Sequence, residues 1–453
     1  MEKKTTENRR IVLEILMETS DDSNKLSTVL KNSLDKVDYM DRQDKAFISR
    51  LTKGCVERRI TLDYVIGLYA KVKKIKPVIR NILRMGIYQI LYMDSVKDFA
   101  ACSEAVNITK DRGLVGLSSF VNGVLRNIVR EKDIIKWPDK KKTPNEYLSI
   151  CYSMPLWIVE YVVKNYGFDM AEQMFAAMDE EALLTIRVNE ELPGSKIADL
   201  VMFIERAGVT VEQHPYSEYA YTLENVSGVA ELPGFHEGLF TVQDISSQLA
   251  VRIAGIEKGQ KILDMCAAPG GKTMHASLLT GDEGSVVARD ISQDKIDLIE
   301  ENADRLGREN VSMEIKDAAA LDESSIEKYD VVICDAPCSG LGVMGRKPDI
   351  RYNVTLDSIK SLAVLQRQIL DNAAKYVKKG GTLIFSTCTI TAEENKENRQ
   401  YIIDKLGLKP CAFDEYVEFL DDESRGSAAQ GFLQLLPGKH MSDGFYISKY
   451  IKE

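Results

Sequence analysis

Over the first 132 residues, apolar positions recur at three- and four-residue spacing in RIVLEILMET, STVLKNSLDKV, KAFISRLTKGCVERR, PVIRNILRMGIYQILYM, FAACSEAVNITK and SSFVNGVLRNIV. That spacing lays the apolar side chains along one stripe of a helix. Polar or glycine breaks separate the stretches, so the pattern predicts an all-helical bundle over 1–132. Residues 133–146, DIIKWPDKKKTPNE, carry two prolines and a lysine run and read as a linker. Over 147–237 the pattern is mixed. SMPLWIVEYVVKNYG and MAEQMFAAMDEE are helical, ALLTIRVN alternates as a strand, SKIADLVMFIERAG is helical, and VTVEQHP and YAYTLEN read as strands. A small α+β unit is expected there. Over 238–453 short apolar runs, KILDM, SVVARD, VSMEIKD, YDVVICD and GTLIFSTC, are separated by helical segments such as DKIDLIEENADRLG and LDSIKSLAVLQRQILDNAAKYVKKG. Strands regularly followed by helices predict a parallel, doubly wound α/β sheet, which binds ligands at the carboxyl ends of its strands.

Composition adds the setting. At 453 residues, 44% apolar and 28% charged, the chain is in the soluble globular class and long enough for several domains. The apolar run after MEKKTTENRR is too short for a signal peptide, and no run approaches the roughly 18 residues of a membrane span, so a cytosolic protein with no membrane partner is expected. There the eight cysteines would be thiols. The net charge of −10 hides a split: residues 1–140 hold 27 basic and 19 acidic side chains, residues 141–453 hold 32 and 50. Arg42 to Arg84 alone has twelve basic residues against three acidic, with KVKKIK at 71–76. A basic arm on an acidic body suggests a docked polyanion, with a solvated helical face as the plainer alternative.

The chemistry concentrates in LDMCAAPGGKT, residues 263–273, after the first strand of the sheet and at the start of a helix. Its GKT ending is that of a phosphate loop, but Cys266 stands where that loop needs its first glycine. Gly270 and Gly271 permit close backbone approach, and the helix start favours an anionic group such as a carboxylate. Asp290, Asp317 and Asp335 close later strands. Acids at strand ends would repel the phosphates of ATP or NAD and suit a nucleoside without phosphate, such as S-adenosylmethionine. Two cysteines, Cys338 after Asp335 and Cys388 at the end of GTLIFSTC, are candidate nucleophiles. Pattern alone does not choose between them. Cys334 and Cys338 also have near-ligand spacing for a metal, but the histidines at 214, 236, 275 and 440 supply no second half-motif, so no metal is expected.

LDMCAAPGGKT, DAPCSGLGVMGRKPDIRY (335–352), STCTITAEEN (386–395), VQDISSQLA (242–250) and DGFYISKY together resemble the motif set of the RNA cytosine-5 methyltransferases. The domain order resembles the bacterial small-subunit ribosomal RNA branch of RsmB/Sun/Fmu type. The resemblance implies an all-α NusB-like RNA-binding domain, an RRM-like α+β subdomain and a Rossmann-like class I methyltransferase domain at 238–453. DRQDKAFISRLTKGCVERR and FVNGVLRN carry the first part and ALLTIRVN the second. One departure is Gly345, where many relatives have an arginine beside Arg346. Carried over by motif, Cys266, Ala267, Ala268, Pro269, Gly270, Gly271, Lys272, Asp290, Asp317 and Asp335 would hold S-adenosylmethionine. Cys388 would attack the base, Cys338 would assist product release, and Asp335 would face the cytosine. The implied partner is 16S ribosomal RNA, not DNA, and a monomer is expected. The rival readings are a non-catalytic NusB-like RNA-binding factor and a methyltransferase for transfer RNA, DNA or protein.

Overall fold

In the computed structural model, which describes residues 2–19, 25–180, 182–226 and 228–453, the stretch PVIRNILRMGIYQILY forms the helix Pro77–Tyr92. Apolar residues run round this helix instead of along one stripe, and Ile79, Ile82, Leu83, Met85, Ile87 and Ile90 are all buried. Such a helix must be enclosed. Glu2–Glu18, Arg42–Glu57, Arg59–Tyr69, Asp98–Asp111 and Ser118–Glu131 surround it, and close approach is enforced at Gly86, where a Cβ would lie 2.8 Å from Leu125.

By contacts the chain divides into two units, one containing everything up to Asp179 plus Arg346–Asn353, the other Glu180–Gly345 and Val354–Glu453. The helices Pro144–Cys151, Leu156–Tyr166 and Phe168–Asp179 therefore group with the helical unit; Glu181, at the end of MAEQMFAAMDEE, lies outside the described residues. Arg351, 1% exposed, donates to the carbonyls of Glu57, Tyr152 and Ser153 at 3.3, 3.5 and 3.4 Å. These are carbonyls at the ends of two helices, which have no partner within their own helix.

The second unit starts with a four-stranded antiparallel sheet, β1 (Leu184–Val188), β2 (Thr210–Gln213), β3 (Ala220–Glu224) and β4 (Phe240–Val242), in the order β2-β3-β1-β4. The helix Gly194–Arg206 covers it through Leu200 and Ile204. The larger sheet contains β5 (Lys261–Asp264), β6 (Ser285–Asp290), β7 (Val311–Ile315), β8 (Tyr329–Asp335), β9 (Val377–Thr387), β10 (Lys409–Pro410), β11 (Phe432–Leu435) and β12 (Phe445–Ile451). Its order is β10-β12-β9-β8-β5-β6-β7, with β11 also on β12. β5 to β9 are parallel where they pair; β12 runs antiparallel to β9. Alternate residues face opposite cores. Ile262, Val331, Ile333 and Ile384 pack on one side, and Leu263, Val332, Cys334 and Phe385 on the other. Because β6 and β8 flank β5 on opposite sides, the chain reverses direction at β5, and a crevice opens at its carboxyl end.

One boundary differs from the pattern. The helix beginning at Leu356 stops at Tyr376, and VKKG, expected as its polar end, begins β9. Val377 pairs with Tyr329, and the Gly380 amide donates to the Lys452 carbonyl at 2.7 Å. These partners are distant in sequence, and local periodicity carries no trace of them.

Candidate active site

The loop after β5 is laced to the strands on either side. Met265 N–H donates to the Ile333 carbonyl of β8 at 3.0 Å, and Ala267 N–H to the Arg289 carbonyl of β6 at 2.9 Å. Gly270 then turns with φ 103° at the N-cap of the helix Gly271–Thr280, a conformation open to glycine and costly for other residues. A cleft of about 190 Å³ opens beside this turn, lined by residues 242–244, Ser247, Asp264, Cys266–Pro269, Gly271, Lys272 and Asp335.

The acids expected at the strand ends are placed differently from one another. Asp290 is buried; its Oδ2 accepts from Ala268 N–H at 3.0 Å and its Oδ1 from Ile291 N–H at 2.8 Å and Lys295 Nζ at 2.7 Å. In this position it braces the loop. Asp317 is exposed, two residues beyond the end of β7, and accepts from Ala319 N–H at 2.9 Å in a tight turn. Asp264, which the motif reading did not single out, lies in the cleft wall. Its Oδ2 accepts from Thr273 Oγ1 at 2.7 Å, while Oδ1 has no hydrogen-bond partner among the described residues. Burial pushes its carboxyl up to about 6, against the stabilising Thr273 hydroxyl. A strand ending in Asp at the mouth of the crevice was its only sequence signal.

Asp335 ends β8, its Oδ1 accepting from Ser386 Oγ at 2.7 Å and its Oδ2 from Lys272 Nζ at 2.5 Å. Lys272 also reaches Ser247 Oγ at 3.2 Å and lies over the Phe445 ring. Burial works to lower its ammonium, but Asp335 outweighs it and the group stays charged more tightly than usual.

Fifty residues separate Cys338 from Cys388, yet their Sγ atoms are 3.2 Å apart. Parallel pairing of β8 and β9, with Asp335 opposite Ser386, brings the two strand ends side by side. The loops beyond are then fixed by a buried carboxylate. Glu394 accepts from Ser339 N–H at 2.8 Å, Ser339 Oγ at 2.6 Å, Thr391 Oγ1 at 2.6 Å and Gln366 Nε2 at 3.0 Å. Gln366 also donates to the Pro337 carbonyl at 2.9 Å, and Asn395 to the Thr389 carbonyl at 3.0 Å. Both cysteine loops are thus tied to one network. Glu394 stands in STCTITAEEN, but nothing local distinguishes it from a surface acid. A third segment closes the site: Gly342 N–H donates to the Cys388 carbonyl at 3.1 Å, and a Cβ on Gly342 would lie 1.9 Å from the Gly444 carbonyl oxygen. The Cys338 thiol is held protonated well above its ordinary range, by its contact with Cys388 and by burial. Cys334 is buried in β8 and packs in the core.

Three family models cover most of the chain: the NusB family at residues 6–130, a ferredoxin-like domain of RsmF/B-like methyltransferases at 154–230, and 16S rRNA methyltransferase RsmB/F at 252–451. Among solved structures, PH0851 matches with a TM-score of 0.80 at 24% identity, covering 99% of this chain and 98% of that one. NSun6 from Pyrococcus horikoshii with SFG matches with a TM-score of 0.57 at 23% identity, covering 65% of this chain and 97% of that one. At these identities the likeness is one of fold. The probable ribosomal RNA small subunit methyltransferase B of Bacillus subtilis is 36% identical over 453 residues, 99% of this chain and 100% of that protein. An alignment that runs end to end through helical, ferredoxin-like and sheet parts leaves no segment to a different ancestry, and the chain belongs to the RsmB/F family of 16S ribosomal RNA methyltransferases.

Proposed function

We propose that the protein methylates C5 of a cytosine in small-subunit ribosomal RNA by covalent catalysis, with S-adenosylmethionine as methyl donor. The observation that carries this reading is the pair of thiols, 3.2 Å apart, at strand ends that adjoin the glycine-turn cleft. Cytosine C5 is a weak nucleophile. A Cys388 thiolate adding at C6 pushes electrons into the ring and makes C5 attack possible; transfer of the C5 proton to a base then returns the electron pair that expels the thiolate. Cys338, beside Cys388 and held protonated, is suited to assist that expulsion. Asp335, which accepts from Ser386 and Lys272, would meet the N3 and amino edge of the base.

The residues of the cleft fit the donor. The glycine turn and helix start favour its carboxylate, the unpaired Asp264 Oδ1 suits its ammonium, and the acids disfavour phosphates. Residues Cys266 to Lys272, Asp290, Asp317 and Asp335 would hold it, and when bound it supplies an electrophilic methyl group. The RNA itself would be gathered by the helical unit. Lys71, Lys73, Lys74 and Lys76 are exposed in the turn between two helices, and their ammonium groups meet no acid among the described residues.

Bisulfite sequencing of ribosomal RNA from cells lacking the gene tests the reading, with the purified protein and tritiated S-adenosylmethionine as complement. One protected cytosine should become convertible in small-subunit RNA, and the protein should restore it. Label appearing instead in transfer RNA, DNA or protein would overturn the substrate assignment.

A further inference from the structure

The four-stranded sheet reaches the cleft at the end of β4, through Val242 and the residues that follow it. Gln243 follows β4, is 5% exposed, and lines the cleft. Its backbone is fixed on both sides: its N–H donates to the Thr185 carbonyl at 3.1 Å, and its carbonyl accepts from Gln248 Nε2 at 2.9 Å. The buried Arg187 of β1 donates from Nε to Gln243 Oε1 at 2.8 Å. A guanidinium only donates, so this bond settles which end of the amide is oxygen. The other end, Nε2, is a buried donor without a hydrogen-bond partner among the described residues. The amide lies over the start of the helix Gly271–Thr280, where a Cβ on Gly271 would be 3.8 Å from Nε2.

His275 of this helix faces the same part of the chain: its Nε2 is 3.0 Å from Glu190, which pairs with Arg252 at 2.7 Å, and burial keeps the imidazole neutral.

Of the acids lining the cleft, Asp264 and Asp335 are acceptors, and Asp244, next to Gln243, has its Oδ1 taken by Ser246 N–H and Oγ. An anionic group finds donors where Gln243 Nε2 lies close to the start of the helix, since the first amides there have no acceptor within their own helix. We propose that Gln243 is a cofactor-binding residue whose Nε2 donates to the carboxylate of the amino-acid end of S-adenosylmethionine, with Arg187 as the positioning residue that selects this amide orientation. The inference rests on the proposed cofactor. Through Arg187 of β1 it links the four-stranded sheet to the cofactor site, beyond any contact with RNA.

The test is calorimetric binding of two adenosyl compounds, S-adenosylhomocysteine, which has the amino-acid end, and 5′-methylthioadenosine, which lacks it. Gln243→Leu should weaken S-adenosylhomocysteine binding by roughly ten- to a hundred-fold, the usual effect of losing a hydrogen bond to a charged group. Methylthioadenosine should bind as it does to the wild type. Gln243→Glu, which keeps an oxygen for Arg187 and sets a negative charge against the carboxylate, should lose at least as much. If Gln243→Leu fails to fold, Arg187→Met carries the test, leaving the amide in place but free to turn, with a smaller loss confined to S-adenosylhomocysteine. Unchanged S-adenosylhomocysteine affinity, or an equal loss for both compounds, would overturn the role of Gln243 while leaving the cofactor reading intact. Wild-type protein that binds neither compound would overturn the cofactor reading, and this one with it.

Discussion

The thiol pair and the glycine-turn cleft are neighbours at the same sheet edge, yet their polar groups are treated in opposite ways. Around Cys338 and Cys388 the buried polar atoms satisfy one another, with four donors on Glu394 and further bonds through Gln366 and Asn395. In the cleft wall, Asp264 Oδ1 and Gln243 Nε2 are buried without a hydrogen-bond partner among the described residues. A closed network fixes geometry before any ligand arrives. Buried polar atoms without protein partners are an energetic debt that a complementary ligand removes on binding. The first arrangement suits a reaction, where two sulfur atoms must be held in place; the second suits recognition.

The widest separation between the two regions is expected at Cys388. Cys388→Ala should abolish turnover and form no covalent RNA adduct while S-adenosylhomocysteine still binds, because only a small side chain is removed. Cys338→Ala should attack and transfer the methyl, then stall with RNA attached, as a shifted band on a denaturing gel. A band with Cys388→Ala and none with Cys338→Ala would reverse the assignment.

Glu394→Ala probes the network and not the thiols. It strands several buried donors, so unfolding free energy should fall by on the order of 3 kcal/mol by denaturant titration. Turnover should drop at least roughly ten-fold through misplaced cysteines, with S-adenosylhomocysteine affinity nearly unchanged. Equal losses of turnover and cofactor affinity would mean that the two regions are not independently built.

The helical unit serves as an external reference. Reversing Lys71, Lys73, Lys74 and Lys76 to Glu should weaken RNA binding and flatten its dependence on salt, as lost phosphate contacts require. Calorimetry should find S-adenosylhomocysteine binding unchanged. An unaltered salt slope would return the lysine run to a solvated surface.

The smallest effect concerns Asp264 and pH. Its folded carboxyl, raised to about 6, holds its proton more tightly than in the unfolded chain, so its share of stability is present below the ordinary carboxylate range and is lost as pH rises to about 6. Asp264→Asn should remove that decline and, without cofactor, stabilise the protein at pH 7.5 by up to about 3 kcal/mol. In the wild type, affinity for S-adenosylhomocysteine should weaken as pH falls through about 6, since the proton removes the charge that meets the ammonium. A flat thermal-melt profile from pH 4 to 7.5 would place Asp264 outside this scheme.

Local order was legible in the chain, because period-two alternation and helical spacing are properties of consecutive residues. YDVVICD and SVVARD became β8 and β6 with the expected bounds, and LDMCAAPGGKT became a strand end, a turn and a helix start. The motif letters also identified the two cysteines, although pattern alone could not rank them. What depended on distant partners was not legible. VKKG reads as a helix tail until Val377 meets Tyr329. Asp264, Asp290 and Asp317 read alike as acids near strand ends, but one lies in the cleft wall with an unpaired oxygen, one braces the loop and one is exposed in a turn. Glu394 and Gln243 stand inside the motifs STCTITAEEN and VQDISSQLA, yet nothing in those letters marks either side chain as buried. Whether a carboxylate or an amide is buried, and whether its last hydrogen bond is made, depends on which strands lie beside it, and strand order is set by packing between segments well separated along the chain.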